Sequence, residues 1–375
     1  MKMKTFIRTA ALLVTAAVAT PAFAGGVTIA QKDDSKLKLE AKVFMGLTDY
    51  KKTFNTTALG VLKNGKNKYS NTRTRSASLD RAYLGIKYYF DSDWMMRITY
   101  DVNNESKAKT NAGLGKTQQV FLKYAYLEGK LMGDAVVLRL GQSHTPWIDY
   151  EQGLWKHRYV SKVMSDTYGY DSSSQLGLGL KGKVDMFHYF ATVTDGKSYS
   201  SAQNFKGGST GLDYKVRVGL TPIEGLTVDA QFNNGFNGTK SSTNSGTRQT
   251  FNQFMVTYGM GHDFRVGANY MSDKRDVLAT NKRTKSDAIG VWGWVNITDK
   301  IGAYARLEEQ KNKSTLTATQ TAQKVKRYVL GAEYSPRKNV KLSLAIDNAK
   351  TTNLGNVTNA SETARRYGLF SEFKF

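Results

Sequence analysis

The chain ends on the segment RYGLFSEFKF, residues 366–375, in which two kinds of side chain alternate. One parity holds Tyr367, Leu369, Phe373 and Phe375, and the positions between them are largely charged or small. Because successive side chains of a strand point to opposite faces, this pattern predicts a strand with one apolar and one polar face. The fold must therefore give these two faces different surroundings.

The opposite end of the sequence has the features of an export signal. Three basic residues precede an apolar stretch from Thr9 to Thr20, and the small-residue site Ala22-Phe23-Ala24 follows. This order predicts a secretory signal peptide over residues 1–24, with the mature domain over residues 25–375. A membrane anchor is the alternative, but the apolar stretch is shorter than the roughly 20 residues that a spanning helix needs.

Composition limits the chemistry open to the protein. The sequence has no cysteine, which excludes disulfides and thiolate sites, and its four histidines include no pair at the spacing of a helical zinc site. It has no glycine-rich phosphate cradle and no nucleic-acid-binding motif, so we expect no metal, no cofactor and no nucleic-acid partner. The net charge of +23 suits a surface that binds anionic lipid or a pore that favours anions.

Segments of alternating hydrophobicity recur along the whole mature sequence. In the segment near residues 340–348, for example, Val340, Leu342 and Leu344 alternate with Lys341 and Ser343. We predict sixteen strands, an even number as in single-chain bacterial barrels. They lie near residues 36–49, 78–90, 94–103, 118–129, 135–143, 174–184, 187–195, 212–221, 226–234, 250–260, 264–272, 287–297, 301–310, 326–335, 340–348 and 364–375.

The connections between these strands alternate between short and long. Short turns fall near residues 91–93, 130–134, 222–225, 261–263, 298–300 and 335–339. Long polar loops fall near residues 50–77, 104–117, 144–173, 196–211, 235–249, 273–286, 311–325 and 349–363. The sequence therefore predicts an all-β fold: a 16-stranded antiparallel transmembrane β-barrel with short periplasmic turns and long extracellular loops. A soluble β-sandwich or β-helix is the alternative, but it would not require this alternation of loop length.

The segment 287–297 does not fit a simple barrel strand. Ile289 and Val291 lie on one parity, whereas Trp292 and Trp294 lie on the other, so both faces are apolar. The tryptophans could contact a loop inside the barrel or a neighbouring subunit, and the sequence leaves both possibilities open.

If the apolar parity faces lipid, the polar parity faces a water-filled lumen. A lysine or arginine that faces lipid at mid-bilayer costs roughly 2–4 kcal/mol, so we expect these residues to point inward. The predicted pore-lining residues are Lys38, Lys42, Arg81, Lys87, Arg97, Lys123, Arg139, Lys181, Lys215, Arg217, Arg306 and Arg327. Acids are fewer on this face, and the surplus of positive charge predicts an anion preference. Alternatively, these charges only keep the wall hydrated and pair with the acids.

The third long connection, residues 144–173, is unusually rich in aromatic residues. It contains Trp147, Tyr150, Trp155, Tyr159, Tyr168 and Tyr170. A loop of this length inside a compact structure is usually functional, and folding against the wall would bury its rings. We predict that it enters and narrows the lumen. The candidate constriction residues are Asp149, Glu151, Trp155, Lys156 and Arg158, with the acids facing wall arginines and lysines; an ordinary surface loop is the alternative.

Across almost the whole mature sequence, the chain resembles Gram-negative porins. The sixteen strands, the long third loop after the fifth strand and the terminal Phe375 carry the resemblance, and the run Leu138-Arg139-Leu140-Gly141-Gln142 followed by Pro146 resembles the strand-to-loop junction of porins, including the phosphate-selective group. The resemblance implies a homotrimer in the outer membrane, in contact with lipid and lipopolysaccharide, that passes small anionic or neutral solutes by diffusion. It also implies that Phe375 is part of the signal read by the barrel assembly machinery.

Three other functions are alternatives to this prediction. A sugar-selective porin would use aromatic loop residues as a slide for carbohydrate. An adhesin or receptor would use the basic loop near residues 50–77 to bind acidic polymers or lipopolysaccharide. An outer-membrane enzyme would need a nucleophile and a positioned base, and the sequence places no such triad, so we expect no enzymatic activity.

Overall fold

The computed structural model describes residues 26–55, 71–103, 119–196, 198–199, 211–237, 246–280, 282–314, 322–354 and 360–375. The predicted signal peptide, residues 1–24, lies outside these ranges. The described residues form seventeen strands of one antiparallel sheet. These strands are β1 Val27–Lys32, β2 Ser35–Asn55, β3 Thr72–Tyr89, β4 Trp94–Asn103, β5 Gln119–Met132, β6 Val136–His144, β7 Ser174–Val184, β8 Phe187–Thr194, β9 Asp213–Ile223, β10 Leu226–Asn237, β11 Thr247–Met260, β12 Phe264–Val277, β13 Lys282–Asn296, β14 Ile301–Ser314, β15 Gln323–Arg337, β16 Val340–Thr352 and β17 Ser361–Lys374. Two helices, α1 Ile148–Trp155 and α2 Met164–Thr167, lie between β6 and β7, and Leu278–Thr280 form a 3₁₀ turn.

Strands β2 to β17 close into a barrel. Each pairs with the next along the chain, and β17 returns to pair with β2 in a register that runs from Ser361 opposite Asn55 to Lys374 opposite Lys42. Closure leaves no open sheet edge along this wall. The barrel has the sixteen strands that the sequence predicts, and each corresponds to one predicted segment.

The short strand β1 is an addition that the sequence analysis does not predict. It pairs with Ser35–Leu39 of β2, the part of β2 that extends beyond the end of β17. Phe375 exchanges two backbone hydrogen bonds with Ala41, at 3.1 and 3.3 Å, where β17 stops. Strand β1 therefore continues the pairing of β2 past the C-terminus.

Short and long connections alternate as the sequence predicts. Seven connections of two to four residues lie on one rim: residues 90–93, 133–135, 185–186, 224–225, 261–263, 297–300 and 338–339. Because the strands are antiparallel, the longer connections all leave from the opposite rim. The C-terminal Phe375 lies at the short-turn rim, beside the start of β2.

The barrel wall is apolar outside and polar inside. Along β9, Val216 and Val218 are exposed, whereas Lys215 and Arg217 on the alternate positions are buried. Leu47 and Leu344 face outward in the same way, with 59% and 67% of their surface exposed. A soluble sandwich would bury its apolar face, so that alternative is wrong for this chain.

No helix within the described ranges has the length and apolar character to cross a membrane.

Candidate functional site

The connection between β6 and β7, residues 145–173, folds into the barrel and is called the inward loop below. Its first helix, α1, has Asp149 and Glu151 in its first turn, where acidic side chains stabilise the helix dipole. The helix ends at Lys156, which adopts a left-handed conformation with a φ of 63° and donates its backbone N–H to the carbonyl of Gln152. This ending turns the chain back across the lumen.

Apolar side chains of the inward loop pack against the barrel wall. Trp147, Ile148 and Trp155 are fully buried. The rings of Trp155 and Trp292 meet edge to face, with centroids 5.9 Å apart. This packing excludes water from one side of the loop and fixes its position.

The same packing explains why both faces of β13 are apolar. Trp294 donates a 2.9 Å hydrogen bond from its indole nitrogen to the carbonyl of Leu154 in the inward loop. Ile289 and Val291, on the opposite parity, are exposed on the outside of the barrel. Of the two possibilities left open by the sequence, the structure shows contact with an inward loop.

Three tyrosines of the inward loop donate hydrogen bonds to carboxylates of the wall. The bonds join Tyr150 to Asp229 at 2.8 Å, Tyr159 to Glu333 at 2.7 Å and Tyr168 to Glu308 at 2.9 Å. Each acceptor also contacts a wall cation: Arg217 lies 2.8 Å from Asp229, Lys341 3.0 Å from Glu333 and Arg327 3.8 Å from Glu308. Each acceptor thus has a cationic partner as well as its tyrosine, and both hold it in place.

Four wall arginines donate hydrogen bonds to the inward loop. Arg217 donates to the carbonyl of Pro146 at 2.8 Å, Arg306 to that of Lys162 at 3.0 Å and Arg366 to that of Val160 at 2.6 Å. Arg327 donates to the hydroxyls of Ser161 and Thr167 at 3.0 and 3.2 Å. Two lysines do the same, since Lys123 bonds Ser173 and Lys215 lies 2.5 Å from Asp171. These cations satisfy loop groups that would otherwise be buried without partners.

A second group of cations faces open space and is called the basic band. It consists of Lys87 on β3, Arg97 on β4, Arg139 on β6 and Lys181 on β7. All four are half-buried, and within the described ranges none forms a hydrogen bond or ion pair with the inward loop. Their partners are instead two wall carboxylates, Glu40 and Glu128.

Residues of the inward loop line two cavities in the lumen. The cavity toward the short-turn rim has a volume of about 560 Å³ and is lined by the basic band together with Asp149, Tyr126 and Arg217. The cavity toward the long connections has a volume of about 670 Å³, and its charged lining includes Arg158 and Arg366. Cations outnumber carboxylates around both cavities.

The structure separates the twelve predicted pore-lining residues into groups. Lys87, Arg97, Arg139 and Lys181 meet at the short-turn cavity, which Arg217 also lines, and Arg81 and Arg327 line the other cavity. Lys38 and Lys42 lie on the inward parity of β2, with the Lys38 ammonium 5.7 Å from the Tyr89 ring centre. The inward loop covers Lys123, Lys215 and Arg306, which are less than 5% exposed, so these three lie behind the loop rather than in the open lumen.

The five predicted constriction residues also differ in position. Asp149 borders the short-turn cavity and accepts a 3.0 Å hydrogen bond from Tyr124, whereas Arg158 borders the other cavity. Lys156 extends its ammonium over the Trp294 ring, 3.9 Å from its centre.

Glu151 and Trp155, by contrast, are buried away from both cavities. Glu151 accepts a 2.7 Å hydrogen bond from the indole nitrogen of Trp147. Burial raises the pKa of the Glu151 carboxyl to about 7, although Arg306 and this hydrogen bond oppose the shift. Its role is in loop packing rather than in contact with solutes.

The structure also identifies one lumen residue, Glu128, that the sequence analysis missed. Glu128 was not among the predicted lumen residues because β5 contains a bulge: Tyr100 pairs with Leu122 and Thr99 with Tyr124, which leaves Lys123 unpaired. A bulge places neighbouring residues on the same face. Past the bulge, Glu128 lies on the same parity as Tyr124 and Tyr126, which are buried on the inner side of the wall.

Comparison with known proteins gives structural matches. No protein-family model matches the sequence, and no curated protein matches it. The fold is similar to that of an anion-selective porin from Comamonas acidovorans, with a TM-score of 0.62 at 11% identity, over 91% of this chain and 100% of that one.

Two further structures share the fold. One is the trimer form of in-vitro folded OmpT, an outer-membrane protein of Vibrio cholerae, with a TM-score of 0.57 and 16% identity over 92% of this chain and 100% of that one. The other is the outer-membrane channel DcaP of Acinetobacter baumannii, with a TM-score of 0.60 and 12% identity over 92% and 99%. At these identities the likeness establishes the fold alone, a closed antiparallel barrel of sixteen strands.

Proposed function

We propose that this chain, which has the barrel fold of the solved porins, is an outer-membrane channel through which small hydrophilic solutes diffuse, with a preference for anions. The observation that supports this most directly is the basic band. It borders a cavity inside a closed barrel, and among the described residues its ion-pair partners are the wall carboxylates Glu40 and Glu128. Low-dielectric walls that carry surplus positive charge raise the local concentration of anions.

The outside of the barrel supports a membrane location. Exposed leucines and valines surround the wall, and burying them in hydrocarbon avoids the free-energy cost of exposing them to water. A closed barrel also satisfies its backbone hydrogen bonds without water, as a membrane-spanning structure must. With the usual orientation, the short turns and Phe375 face the periplasm and the long connections face the cell exterior, where lipopolysaccharide lies.

Export, assembly and oligomeric state follow as further parts of the proposal. Residues 1–24 would direct export and be removed, and residues 25–375 would form the barrel. The terminal Phe375, which is exposed beside Ala41, would be read by the barrel assembly machinery. A homotrimer agrees with the trimer form of the similar Vibrio cholerae protein.

The basic band carries a net positive charge, which favours anions over cations in the cavity. Glu40 contacts both Lys87, at 2.5 Å, and Arg97, at 3.5 Å. Glu128 contacts both Arg139, at 2.5 Å, and Lys181, at 2.9 Å. Each carboxylate therefore neutralises one of two cations, and a net positive charge remains at the cavity wall.

The aromatic residues of the inward loop argue for a general channel rather than a sugar-selective one. Trp147, Trp155, Tyr159 and Tyr170 are all at most 3% exposed because they pack against the wall or within the loop. A slide for carbohydrate would need their ring faces free toward the solute. We propose a passive channel without enzymatic activity.

Reversal potential across a planar bilayer under a KCl gradient tests the proposal. We expect the sign of an anion-preferring pore, and a smaller potential for the double variant Lys87→Gln, Lys181→Gln. The matched control is Lys285→Gln, which removes one positive charge from the outer parity of β13, where the Lys285 side chain is 54% exposed. A cation-preferring wild type would refute the charge argument, and absence of conductance would refute the channel.

A further inference from the structure

We infer that the basic band is a two-point site for one dianion whose charged groups are well separated, such as a linear dicarboxylate. This inference rests on the proposed channel function and names the class of solute that the short-turn cavity would select. It depends on the way in which the band is divided into two similar units.

Each unit contains one glutamate and two cations. In the first unit, Glu40 joins Lys87 and Arg97, and in the second, Glu128 joins Arg139 and Lys181. In each unit one cation is in excess. The wall therefore presents two separate surplus charges rather than one concentrated patch.

Aromatic rings fix the guanidinium group of each unit. The Arg97 guanidinium lies 5.1 Å from the ring centre of Tyr124. The Arg139 guanidinium lies 4.9 Å from Tyr126 and 5.5 Å from Phe190. Each of these arginines also contacts a glutamate, so little conformational freedom remains to be lost when an anion binds.

The two units lie on neighbouring sectors of one wall. Arg97 on β4 and Arg139 on β6 are separated by the single strand β5, and adjacent strands lie about 4.8 Å apart, which places these two backbone positions on the order of 10 Å apart. Tyr126, which pairs with Arg97 across the β4–β5 ladder, fills the space between them. A compact anion can contact one unit, whereas a solute with two distant carboxylates can contact both.

Contact with both units gives a dianion an advantage that net charge alone does not. Once one carboxylate is bound, the second is held near the other unit at a high effective concentration. A monocarboxylate of similar length gains only one contact. Hydrogen phosphate carries two charges, but both lie on one small group that fits a single unit.

Six other wall cations are engaged by the inward loop. Arg217, Arg306, Arg327 and Arg366 already donate to groups of the inward loop. Lys123 and Lys215 are covered by the same loop. The four cations of the basic band, by contrast, have wall carboxylates as their ion-pair partners and line the short-turn cavity together.

Block of single-channel current tests the inference with three kinds of probe: a dicarboxylate series from succinate through adipate to suberate, the monocarboxylate butyrate, and hydrogen phosphate. We expect adipate to bind at least about 10-fold more tightly than butyrate, since two tethered contacts reinforce each other. Binding along the series should peak at one chain length. Phosphate that binds as tightly as the best dicarboxylate would overturn the inference, because a compact dianion would then suffice.

Two single variants, Lys87→Gln and Lys181→Gln, provide the decisive comparison. Each removes the surplus charge of one unit and leaves its glutamate paired with an arginine, so no carboxylate is left alone. Either change should reduce adipate affinity to within about twofold of butyrate affinity, while butyrate affinity itself changes by no more than about twofold. Lys285→Gln should leave all affinities unchanged.

The same channels report separately on the proposed function. If the reversal potential shows anion preference but adipate and butyrate bind equally, the two-point site is wrong and the anion channel stands. If the reversal potential shows cation preference, the proposed function fails whatever the dicarboxylates do.

Discussion

The Tyr159 phenol donates a 2.7 Å hydrogen bond to the Glu333 carboxylate, which joins residues 174 positions apart in the sequence. Glu333 also lies 3.0 Å from Lys341 and 3.3 Å from His157 of the inward loop. His157 in turn stacks on the Tyr304 ring, with centroids 3.9 Å apart. One wall carboxylate thus holds two residues in the middle of the inward loop, Tyr159 and His157.

Replacing Tyr159 by phenylalanine should loosen the inward loop without unfolding the barrel. The loss of a hydrogen bond to a charged, buried acceptor costs about 1.5–3 kcal/mol, while Glu333 keeps Lys341 as a partner. We expect larger current fluctuations in the open state, measured in single-channel recordings. Tyr214→Phe, on the outer face of β9, is the matched control and should behave like wild type. Unchanged fluctuations in Tyr159→Phe would show that this bond does not restrain the loop.

Loop packing should also depend on pH through Glu151. Its pKa is raised by burial to about 7, above the usual 4.5 of a glutamate, so the folded loop binds the proton more tightly than the unfolded chain does. The resulting stabilisation is complete below about pH 4.5 and is lost as the pH rises through about 7. We expect the hydrogen-exchange protection of the loop amides, corrected for intrinsic rates, to fall between pH 6 and pH 8.

The Glu151→Gln variant isolates this effect. Glutamine keeps an acceptor for the Trp147 indole but carries no charge, so its loop protection should stay constant over the same pH range. Glu224→Gln, in the exposed turn between β9 and β10, should retain the wild-type dependence. If Glu151→Gln still loses protection above pH 7, another group is responsible.

The alternation of side chains was sufficient to predict the barrel, because the period of two survives in most strands. It failed locally where a bulge shifts the register. In β5, Lys123 and Tyr124 are adjacent in sequence yet both are buried, at 4% and 5% exposure. Parity counted from Lys123 puts Glu128 on the wrong face, so the carboxylate of the second unit could not be found from the sequence, whereas its two cations were predicted.

The lumen shows a second limit of sequence analysis. Parity places Lys215, Arg306 and Arg139 on the same inner face, but only the structure shows which of them the inward loop covers. That distinction depends on contacts between residues far apart in the chain, such as Arg306 with the carbonyl of Lys162. The apolar second face of β13 and the aromatic residues of the inward loop were the local signals that such contacts exist.

Removing residues 150–165 should widen the pore and strengthen its anion preference. The deletion removes the carbonyls of Lys162 and Val160, to which Arg306 and Arg366 donate, and removes loop residues that line both cavities. We expect a larger single-channel conductance and a larger reversal potential of the anion-preferring sign. If the deleted protein does not insert, Trp294→Ala tests the same point, since it removes the indole that bonds Leu154 and supports Lys156. Wild-type conductance in either inserted variant would refute the constriction role.

Arginine and lysine should not be interchangeable at position 139. The planar guanidinium lies between the rings of Tyr126 and Phe190 and contacts Glu128, whereas an ammonium keeps the charge but loses the stacking and the rigid array of donors. We therefore expect Arg139→Lys to retain the sign and most of the size of the reversal potential, but to weaken dicarboxylate block several-fold because the cation is less fixed. Arg139→Gln should reduce both quantities. Arg73→Lys, which changes an exposed outer-face arginine paired with Asp49, should change neither. Equal block in wild type and Arg139→Lys would show that charge alone determines solute binding at this wall.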